Sequence, residues 1–327
     1  MWYTFITLYH RKDALTMTNM TLFTFPSTDG VTALAARLWT DPDRAPRAVV
    51  QLVHGVREHI SRYDRFARFL AEKGFVVAGH DHLGHGDSLP RGGTPIFFRA
   101  KDGWQTATDD VYALHTLLRQ KYPGLPCFLL GHSMGSFLTR SLLIRYPGCA
   151  DGAIIMGTAW NSGAAITAGK AATAVMSAIK GKRATSPLLS SLAFGGYSKP
   201  FVPSRTEFDW IAANEDAVAR YIADPKCGEE PSVGLLGDMM DGFRLNQSAA
   251  ELRKMEPSTP ILFIAGADDP VGDMGRGVEK TRDAFLAAGM TDVELCLCPG
   301  LRHEILNERC AAEAVYPPIL RWLEAHL

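Results

Sequence analysis

Two kinds of apolar pattern succeed each other along the chain. Between residues 21 and 39, two stretches with alternating apolar and polar side chains flank a turn-like sequence at 27–30, which predicts an antiparallel hairpin. Further along, short runs are apolar on both faces, as the strands of a buried parallel sheet must be. These runs occupy residues 49–53, 74–78, 127–130, 153–156, 261–264 and 293–297.

Helical patterns separate most of these runs. Each of them stops at a glycine or before a proline, and they cover residues 63–73, 104–122, 134–146 and 279–288. Regular alternation of strand and helix predicts an α/β fold, with a mostly parallel central sheet flanked by helices.

The alternation stops between residues 159 and 247, where Ala-rich and Gly-Pro-Ser-rich stretches carry helical fragments but no clear strand. An insertion between two parallel strands lies over the carboxyl edge of the sheet, where such folds place their active sites. We therefore expect a core of residues 21–158 and 248–327, covered by a helical cap at 159–247. For residues 1–20 we expect an N-terminal extension that need not be ordered.

Composition narrows the range of partners. Of the 327 residues, 46% are hydrophobic and 21% are charged, so the chain can bury a large core without disulfides or metals. The formal net charge of -1 gives no electrostatic attraction for nucleic acid. The six cysteines have no framework spacing, which suits a reducing compartment, and we expect a cytoplasmic protein.

A Gly-x-Ser-x-Gly motif at residues 131–135 supplies a candidate nucleophile. It follows an apolar run and precedes a helical pattern, which is the strand–turn–helix context of a nucleophile elbow. Because the elbow is tight, a side chain at Gly131 or Gly135 is expected to collide with the neighbouring strand or helix. The motif also arises by chance in ordinary turns, but its context favours Ser133 as a catalytic nucleophile.

A serine hydroxyl needs a positioned base, and His303 is the candidate. It lies just past the last apolar run, where the histidine of such a site follows the nucleophile and the acid in chain order. Two adjacent aspartates follow the preceding strand, and only one of them can face the histidine. We favour Asp269, directly before Pro270, as the residue that orients His303, and we assign Asp268 to capping the turn.

A second chain segment must complete the oxyanion hole, which binds the negative oxygen of the acyl-transfer intermediate. The sequence His54-Gly55-Val56 follows a central apolar run, and Gly55 lets the chain turn close to the reacting carbon. We expect the backbone N–H groups of Val56 and Met134 to converge on this oxygen. A plain strand-ending turn is the alternative.

Three segments together resemble the monoacylglycerol lipase and lysophospholipase branch of the α/β-hydrolases. They are the His-Gly-x-x-Glu-His-x-x-Arg-Tyr loop at 54–63, the Gly-His-Gly-x-Ser turn within 79–88 and the elbow at 131–135. The resemblance implies the α/β-hydrolase fold and a catalytic triad of Ser133, Asp269 and His303. It also implies hydrolysis without a cofactor and a cap that guards an acyl-chain tunnel.

The first of these segments also departs from that branch. Val56 and Arg57 replace a pair of small residues, and Ile60 replaces a small polar one. Glu58 and Arg62 are candidates for binding the polar alcohol portion of a substrate, but at this spacing they are equally able to form a structural ion pair. The sequence leaves both interpretations open.

Other chemistries find less support in the pattern. His80, His82 and His85 approach a zinc signature of metallo-hydrolases, but Gly84 stands where that signature needs an aspartate, and we expect no metal. No phosphate-binding glycine motif follows a strand, and we expect no cofactor. Residues 164–182 mix small apolar residues with lysines, which suits either transient contact with a membrane surface or an ordinary cap helix.

The sequence thus predicts a serine hydrolase that cleaves carboxylic esters of acyl chains, of the monoacylglycerol or lysophospholipid type. The expected partner is a small-molecule acyl ester and not a nucleic acid, and the oligomeric state is not predicted. Two alternatives stay open. A peptidase or amidase can use the same site on the same fold, and a non-catalytic binding protein can keep the scaffold.

Overall fold

The computed structural model describes residues 9–11 and 18–327. Nine strands of the described chain form one sheet: β1 (Tyr9–Arg11), β2 (Asn19–Pro26), β3 (Ala33–Thr40), β4 (Ala48–Val53), β5 (Phe75–His80), β6 (Cys127–His132), β7 (Gly152–Met156), β8 (Ile261–Gly266) and β9 (Val293–Cys298). Their spatial order is β1-β2-β3-β5-β4-β6-β7-β8-β9. The first three strands and β5 pair antiparallel, and all pairs from β5 to β9 in this order are parallel.

The strand predictions are confirmed, because β2 and β3 form the expected hairpin and the six apolar runs become β4 to β9. Every residue of β4 to β8 is buried, as the continuous apolar runs require. β9 differs, since it forms the edge of the sheet and only Cys298 in it is fully buried. The extension predicted at residues 1–20 lies largely outside the described residues, which there include β1 and the start of β2.

Ten α-helices occur in the described part of the chain: α1 (Asp64–Ala71), α2 (Gly103–Lys121), α3 (Met134–Arg145), α4 (Gly163–Lys180), α5 (Pro187–Phe194), α6 (Glu215–Ala223), α7 (Val233–Asn246), α8 (Ala249–Leu252), α9 (Arg276–Ala288) and α10 (Tyr316–Ala325). On one face of the sheet, α1 and α10 share an apolar cluster that contains Phe66, Phe128 and Tyr316. On the other face, α2, α3 and α9 pack around a cluster that contains Leu138 and Phe285. Helices therefore cover both faces of the sheet.

The segment between β7 and β8 contains α4 to α8, and α4 to α7 lie within the range 159–247 that was predicted to be a cap. Helices α4, α5 and α7 each begin after a serine whose hydroxyl accepts a hydrogen bond from the backbone of the first turn. Within the described residues, no helix has the length and apolar character needed to cross a membrane.

A buried polar cluster fixes the end of α7 to α3. The Asn246 side chain donates to the carbonyl of Phe137 at 2.8 Å and accepts from the Ser141 hydroxyl at 2.9 Å. The Asn246 carbonyl accepts from the guanidinium of Arg140 at 2.8 Å. The β7–β8 segment is thus attached to the helix that follows the candidate nucleophile.

Candidate active site

Ser133 occupies the sharp turn between β6 and α3. Its backbone has φ 53° and ψ -122°, a conformation that L-residues rarely adopt. A Cβ atom added at Gly131 would lie 2.3 Å from Thr139 Oγ1, and one added at Gly135 would lie 2.0 Å from the carbonyl oxygen of Val53. The predicted close approach at both glycines is confirmed, and it places Ser133 at the carboxyl end of a central strand.

The structure brings His303 and Asp269 together. His303 follows β9, Asp269 follows β8, and the His303 Nδ1 atom lies 2.9 Å from Asp269 Oδ2. Both side chains are buried, and the Val271 amide donates to the other oxygen of Asp269 at 2.9 Å. Asp268, the neighbouring candidate, is exposed. The orienting contact expected of Asp269 is therefore present, and it leaves Nε2 as the free nitrogen of His303.

Two aromatic rings hold the imidazole of His303 from neighbouring segments. His132, directly before Ser133, packs with a ring-centroid distance of 4.6 Å. Trp210, from the β7–β8 segment, packs at 5.2 Å. Neither contact was expected from the sequence, because Trp210 lies outside any periodic pattern and His132 was noted only as part of the elbow motif. Such packing restricts the ring to few orientations.

A cavity of about 440 Å³ connects these residues with the β7–β8 segment. Ser133 and His303 both line it, together with apolar residues of α4 and α7 such as Ile166, Met239 and Phe243. Within the described residues, the Ser133 hydroxyl has no hydrogen-bond partner, and its side chain is half-buried. A hydroxyl that faces an apolar cavity beside an oriented imidazole is suited to attack a bound carbonyl carbon.

The amides of Val56 and Met134 flank Ser133. A Cβ atom added at Gly55 would lie 3.0 Å from Ser133 Cβ, so the loop after β4 passes directly beside the serine. Met134 begins α3, where the first N–H groups of a helix have no partner within the helix. Val56 and Met134 also line the cavity. Both predicted donors are thus adjacent to the site where an oxyanion would form.

Glu58 and Arg62 form the ion pair that the sequence left as an alternative to substrate binding. Arg62 donates to Glu58 at 2.8 Å and to both oxygens of Glu304 at 2.6 and 2.7 Å. Glu58 also accepts from the Gly55 amide at 2.7 Å and from the Tyr63 hydroxyl at 2.9 Å. Since their charged groups are engaged with each other and with Glu304, both residues shape the loop after β4.

Electrostatics around this ion pair favour charge. Burial by itself would raise the pKa of Glu58, but the hydrogen bond with His132 and the charge of Arg62 hold that pKa well below its usual value. Burial by itself would lower the pKa of His132, but the hydrogen bond with Glu58 raises it above its usual value. Glu304, which the sequence analysis missed, could have been noted only from its position next to His303.

Arg57 connects the same loop to the β7–β8 segment. Its Nε atom donates to the carbonyl of Glu229 at 2.9 Å, and its guanidinium also donates to the carbonyl of Gly228. In return, the Arg57 carbonyl accepts from the Gly228 amide and from the Tyr221 hydroxyl, each at 3.0 Å. The residue next to the Val56 amide is therefore tied to the helical segment above the cavity.

The fold and the site together define an α/β-hydrolase: a mainly parallel sheet, a serine at a strained strand–helix turn, and an acid–histidine pair after the last two strands. A family model described as Serine aminopeptidase, S33, matches residues 44–310, and the chain belongs to this hydrolase family.

Curated relatives and solved structures carry the comparison further. Monoacylglycerol lipase of Mycolicibacterium smegmatis is 30% identical over 297 residues, which cover 89% of this chain and 92% of that protein. Human monoglyceride lipase is 34% identical over 123 residues, 38% of each chain. A carboxyl esterase from Bacillus coagulans, solved in complex with glycerol, superposes with a TM-score of 0.87 at 29% identity and covers 94% of this chain and 98% of its own. The resemblance to the monoacylglycerol lipase branch is confirmed, and the chain is a serine ester hydrolase that acts on a small-molecule ester.

Proposed function

We propose that this esterase hydrolyses monoacylglycerols, with Ser133 as nucleophile, His303 as general base and Asp269 as the residue that orients the base. One observation carries the proposal: Ser133 and the Asp269-bound imidazole of His303 line the same apolar cavity. The names of the curated relatives support the same substrate class. The bound glycerol in the related esterase structure agrees with a glycerol ester as substrate.

In the proposed reaction, the Ser133 hydroxyl attacks the ester carbonyl and passes its proton to Nε2 of His303. The amides of Val56 and Met134 bind the negative oxygen of the tetrahedral intermediate. His303 then protonates the departing glycerol oxygen, and the acyl group stays on Ser133. Water, deprotonated by His303, attacks the acyl-enzyme in the same way and releases the fatty acid.

Small residues of α4 make room for the acyl chain in this proposal. Gly169 and Ala172 line the cavity opposite α7, and a Cβ atom added at Gly169 would lie 2.7 Å from Met240 Sδ. A larger side chain there would close the space between the two helices. We infer that residues 159–247 act as a cap, whose apolar inner surface receives the acyl chain.

An aminopeptidase activity, which the family description names, finds less support in the cavity. Recognition of a substrate amine needs an unpaired carboxylate, but Glu58 and Glu304, the acidic residues of the cavity lining among the described residues, are both bound to Arg62. Glu229, which the sequence offered as a candidate, is exposed and contributes its carbonyl to Arg57. The apolar lining favours an acyl ester.

The test is hydrolysis of p-nitrophenyl esters of increasing chain length, a monoacylglycerol, a lysophospholipid and an aminoacyl anilide by the wild type and by Ser133→Ala. We expect the monoacylglycerol to have the highest kcat/KM and the variant to lose at least about 10⁴-fold in kcat. Preference for the lysophospholipid or the anilide would overturn the substrate assignment. Normal turnover by a folded Ser133→Ala protein would overturn the nucleophile.

Contact with a lipid surface is part of the same proposal. Large apolar side chains are exposed on α4 and α5, among them Ile179 at 72%, Leu188 at 63% and Leu192 at 73%. They lie on the cap, beside the cavity that would receive a lipid, and such a patch can dip into a membrane surface. The six cysteines are all unpaired, which supports a cytoplasmic location for this contact.

Flotation with phosphatidylcholine vesicles tests this contact. We expect the wild type to float with the vesicles in part, and the double variant Leu188→Ser, Leu192→Ser to remain with the unbound protein. Leu117→Ser, which removes an apolar side chain of α2 that is 42% exposed, is the matched control and should float like the wild type. Equal flotation of both variants would argue against the cap surface.

A further inference from the structure

Three potential metal ligands meet where the loop after β4 contacts the cap. His59 belongs to the loop, and Asp224 and Cys227 belong to the cap segment that follows α6. A ring nitrogen of His59, a carboxylate oxygen of Asp224 and Sγ of Cys227 all lie within 4.8 Å of one another. His59 is buried and the other two are half-buried. None of the three lines the active-site cavity, so this cluster is separate from the site described above.

Neighbouring groups orient two of these ligands. The Nδ1 atom of His59 is hydrogen-bonded to the Ser61 hydroxyl at 2.6 Å, which leaves Nε2 to face Asp224. One carboxylate oxygen of Asp224 accepts from the Lys226 amide at 2.9 Å, and the other lies 2.8 Å from His59 Nε2. Outer partners of this kind fix the direction of the ligands in protein metal sites.

Further bonds position the cap segment without help from a metal. The Cys227 amide donates to the Asp224 carbonyl at 3.0 Å, which closes a turn that brings the two side chains together. The next residue, Gly228, exchanges hydrogen bonds with Arg57 of the loop in both directions. The ligands from the two segments are therefore preorganised, and binding requires only small side-chain movements.

We propose that His59, Asp224 and Cys227 form a zinc-binding site that joins the loop after β4 to the cap, with water in the fourth position. Imidazole nitrogen, thiolate sulfur and carboxylate oxygen are the ligands that zinc prefers, whereas calcium and magnesium prefer oxygen alone. Zinc bonds of about 2.0–2.3 Å would place the ligand atoms roughly 3.3–3.8 Å apart, close to the present arrangement.

The surrounding charges permit a cation at this position. Arg62 is the nearby cationic group, but it is bound to two carboxylates, those of Glu58 and Glu304. Burial raises the pKa of the Cys227 thiol, so the metal-free residue carries its proton. Binding of one zinc ion therefore releases this proton to the solvent, and the hydrogen bond between His59 and Asp224 is exchanged for two bonds to the metal.

Cobalt is a suitable probe, because a thiolate bound to Co²⁺ gives a charge-transfer absorption band in the near ultraviolet. The full-length protein, freed of metal by a chelator and dialysed, is titrated with Co²⁺ and then with Zn²⁺. We expect one cobalt ion per chain, displacement of cobalt by zinc, and a zinc dissociation constant below about 10 µM. Zinc should also raise the melting temperature, because it binds only the folded chain.

Variants assign the binding to this cluster. Cys227→Ser should remove the cobalt–thiolate band, and both it and Asp224→Asn should weaken zinc binding by at least about 100-fold, since even outer partners contribute 10- to 100-fold. Cys310→Ser, which alters an exposed cysteine outside the cluster, is the matched control and should bind like the wild type. A band that survives in Cys227→Ser would overturn the site, and so would wild-type zinc binding weaker than about 1 mM. Ester hydrolysis by metal-free Cys227→Ser at the wild-type rate would show that the variant is folded.

Discussion

Ser133 has a backbone conformation that only its surroundings can stabilise. A non-glycine residue at φ 53° and ψ -122° costs on the order of 1–3 kcal/mol. The Ser133 amide donates to the carbonyl of Met156 at 3.0 Å, and the absence of Cβ atoms at Gly131 and Gly135 lets the strand and helix close around the turn. Strain at this position is consistent with a side chain that must project from the sheet into the cavity.

Asp269→Asn tests the residue that orients His303. We expect kcat to fall by about 10⁴, because an amide cannot stabilise the imidazolium and favours the wrong tautomer of the histidine. Asp268→Asn changes the exposed neighbour and should retain near-wild-type activity. Steady-state hydrolysis of one p-nitrophenyl ester measures both variants. A larger loss for Asp268→Asn would reverse the assignment of the two aspartates.

The core elements were predictable because their signals are local. An apolar run between a glycine and a helical pattern is sufficient to predict a strand such as β6, and the elbow follows from the same short stretch. Adjacent Asp268 and Asp269 could not be separated this way, because their burial depends on packing with other segments. The ion pair between Arg62 and Glu304 joins residues 242 positions apart, and the sequence carries no periodic sign of it.

The cap was predictable as an insertion but not as a surface. Its helices face a cavity on one side, so their apolar residues do not follow the pattern of helices packed on a core. Trp210, which packs on His303, lies between α5 and α6 outside any helix. The zinc ligands proposed above come from two separated segments, and their spacing in the sequence matches no metal motif.

At the level of elements, Arg57 couples the cap to the loop that carries the Val56 amide. Its φ of 63° is left-handed, so Arg57→Gly keeps the backbone conformation and removes only the side-chain contacts with Gly228 and Glu229. We expect kcat to fall by about 10-fold with little change in KM, less than the 10²–10³-fold that follows complete loss of an oxyanion donor.

Kinetics with a short and a long p-nitrophenyl ester measure this effect. Both substrates should lose kcat equally, since both use the same oxyanion hole. Arg183→Gly is the control, because Arg183 belongs to the cap but contacts Thr94 and Phe97 instead of the loop after β4. If only the long ester were affected in Arg57→Gly, the side chain would serve the acyl-binding surface and not the oxyanion loop.

Buried histidines are distributed through the molecule beyond the active site. Burial lowers the pKa of His80 to about 3 and the pKa values of His85 and His115 to about 4. The pKa values of His54 and His82 are also well below the ordinary value, since burial penalises the charged ring and neighbouring histidines repel it. All five side chains are neutral in the folded protein at neutral pH.

This distribution makes the stability of the whole protein depend on pH. In the unfolded chain these histidines bind protons below a pKa near 6.5, whereas the folded chain resists protonation until about pH 4. The stabilisation is therefore complete above pH 6.5 and is lost as the pH falls toward 4. The raised pKa values of His132 and of Asp238, the latter about 7, act in the opposite direction and reduce the net slope.

His80→Leu isolates one of these contributions. Neither ring nitrogen of His80 has a hydrogen-bond partner within the described residues, so the substitution leaves no polar group unpaired. We expect the free energy of unfolding of the variant to lose up to about 1.4 kcal/mol less per pH unit than that of the wild type between pH 6 and 4. Above pH 7 the difference between the two proteins should be constant, because both are then neutral at this position. Urea unfolding at a series of pH values measures both curves, and parallel curves down to pH 4 would mean that His80 takes up its proton in the folded state as readily as in the unfolded chain.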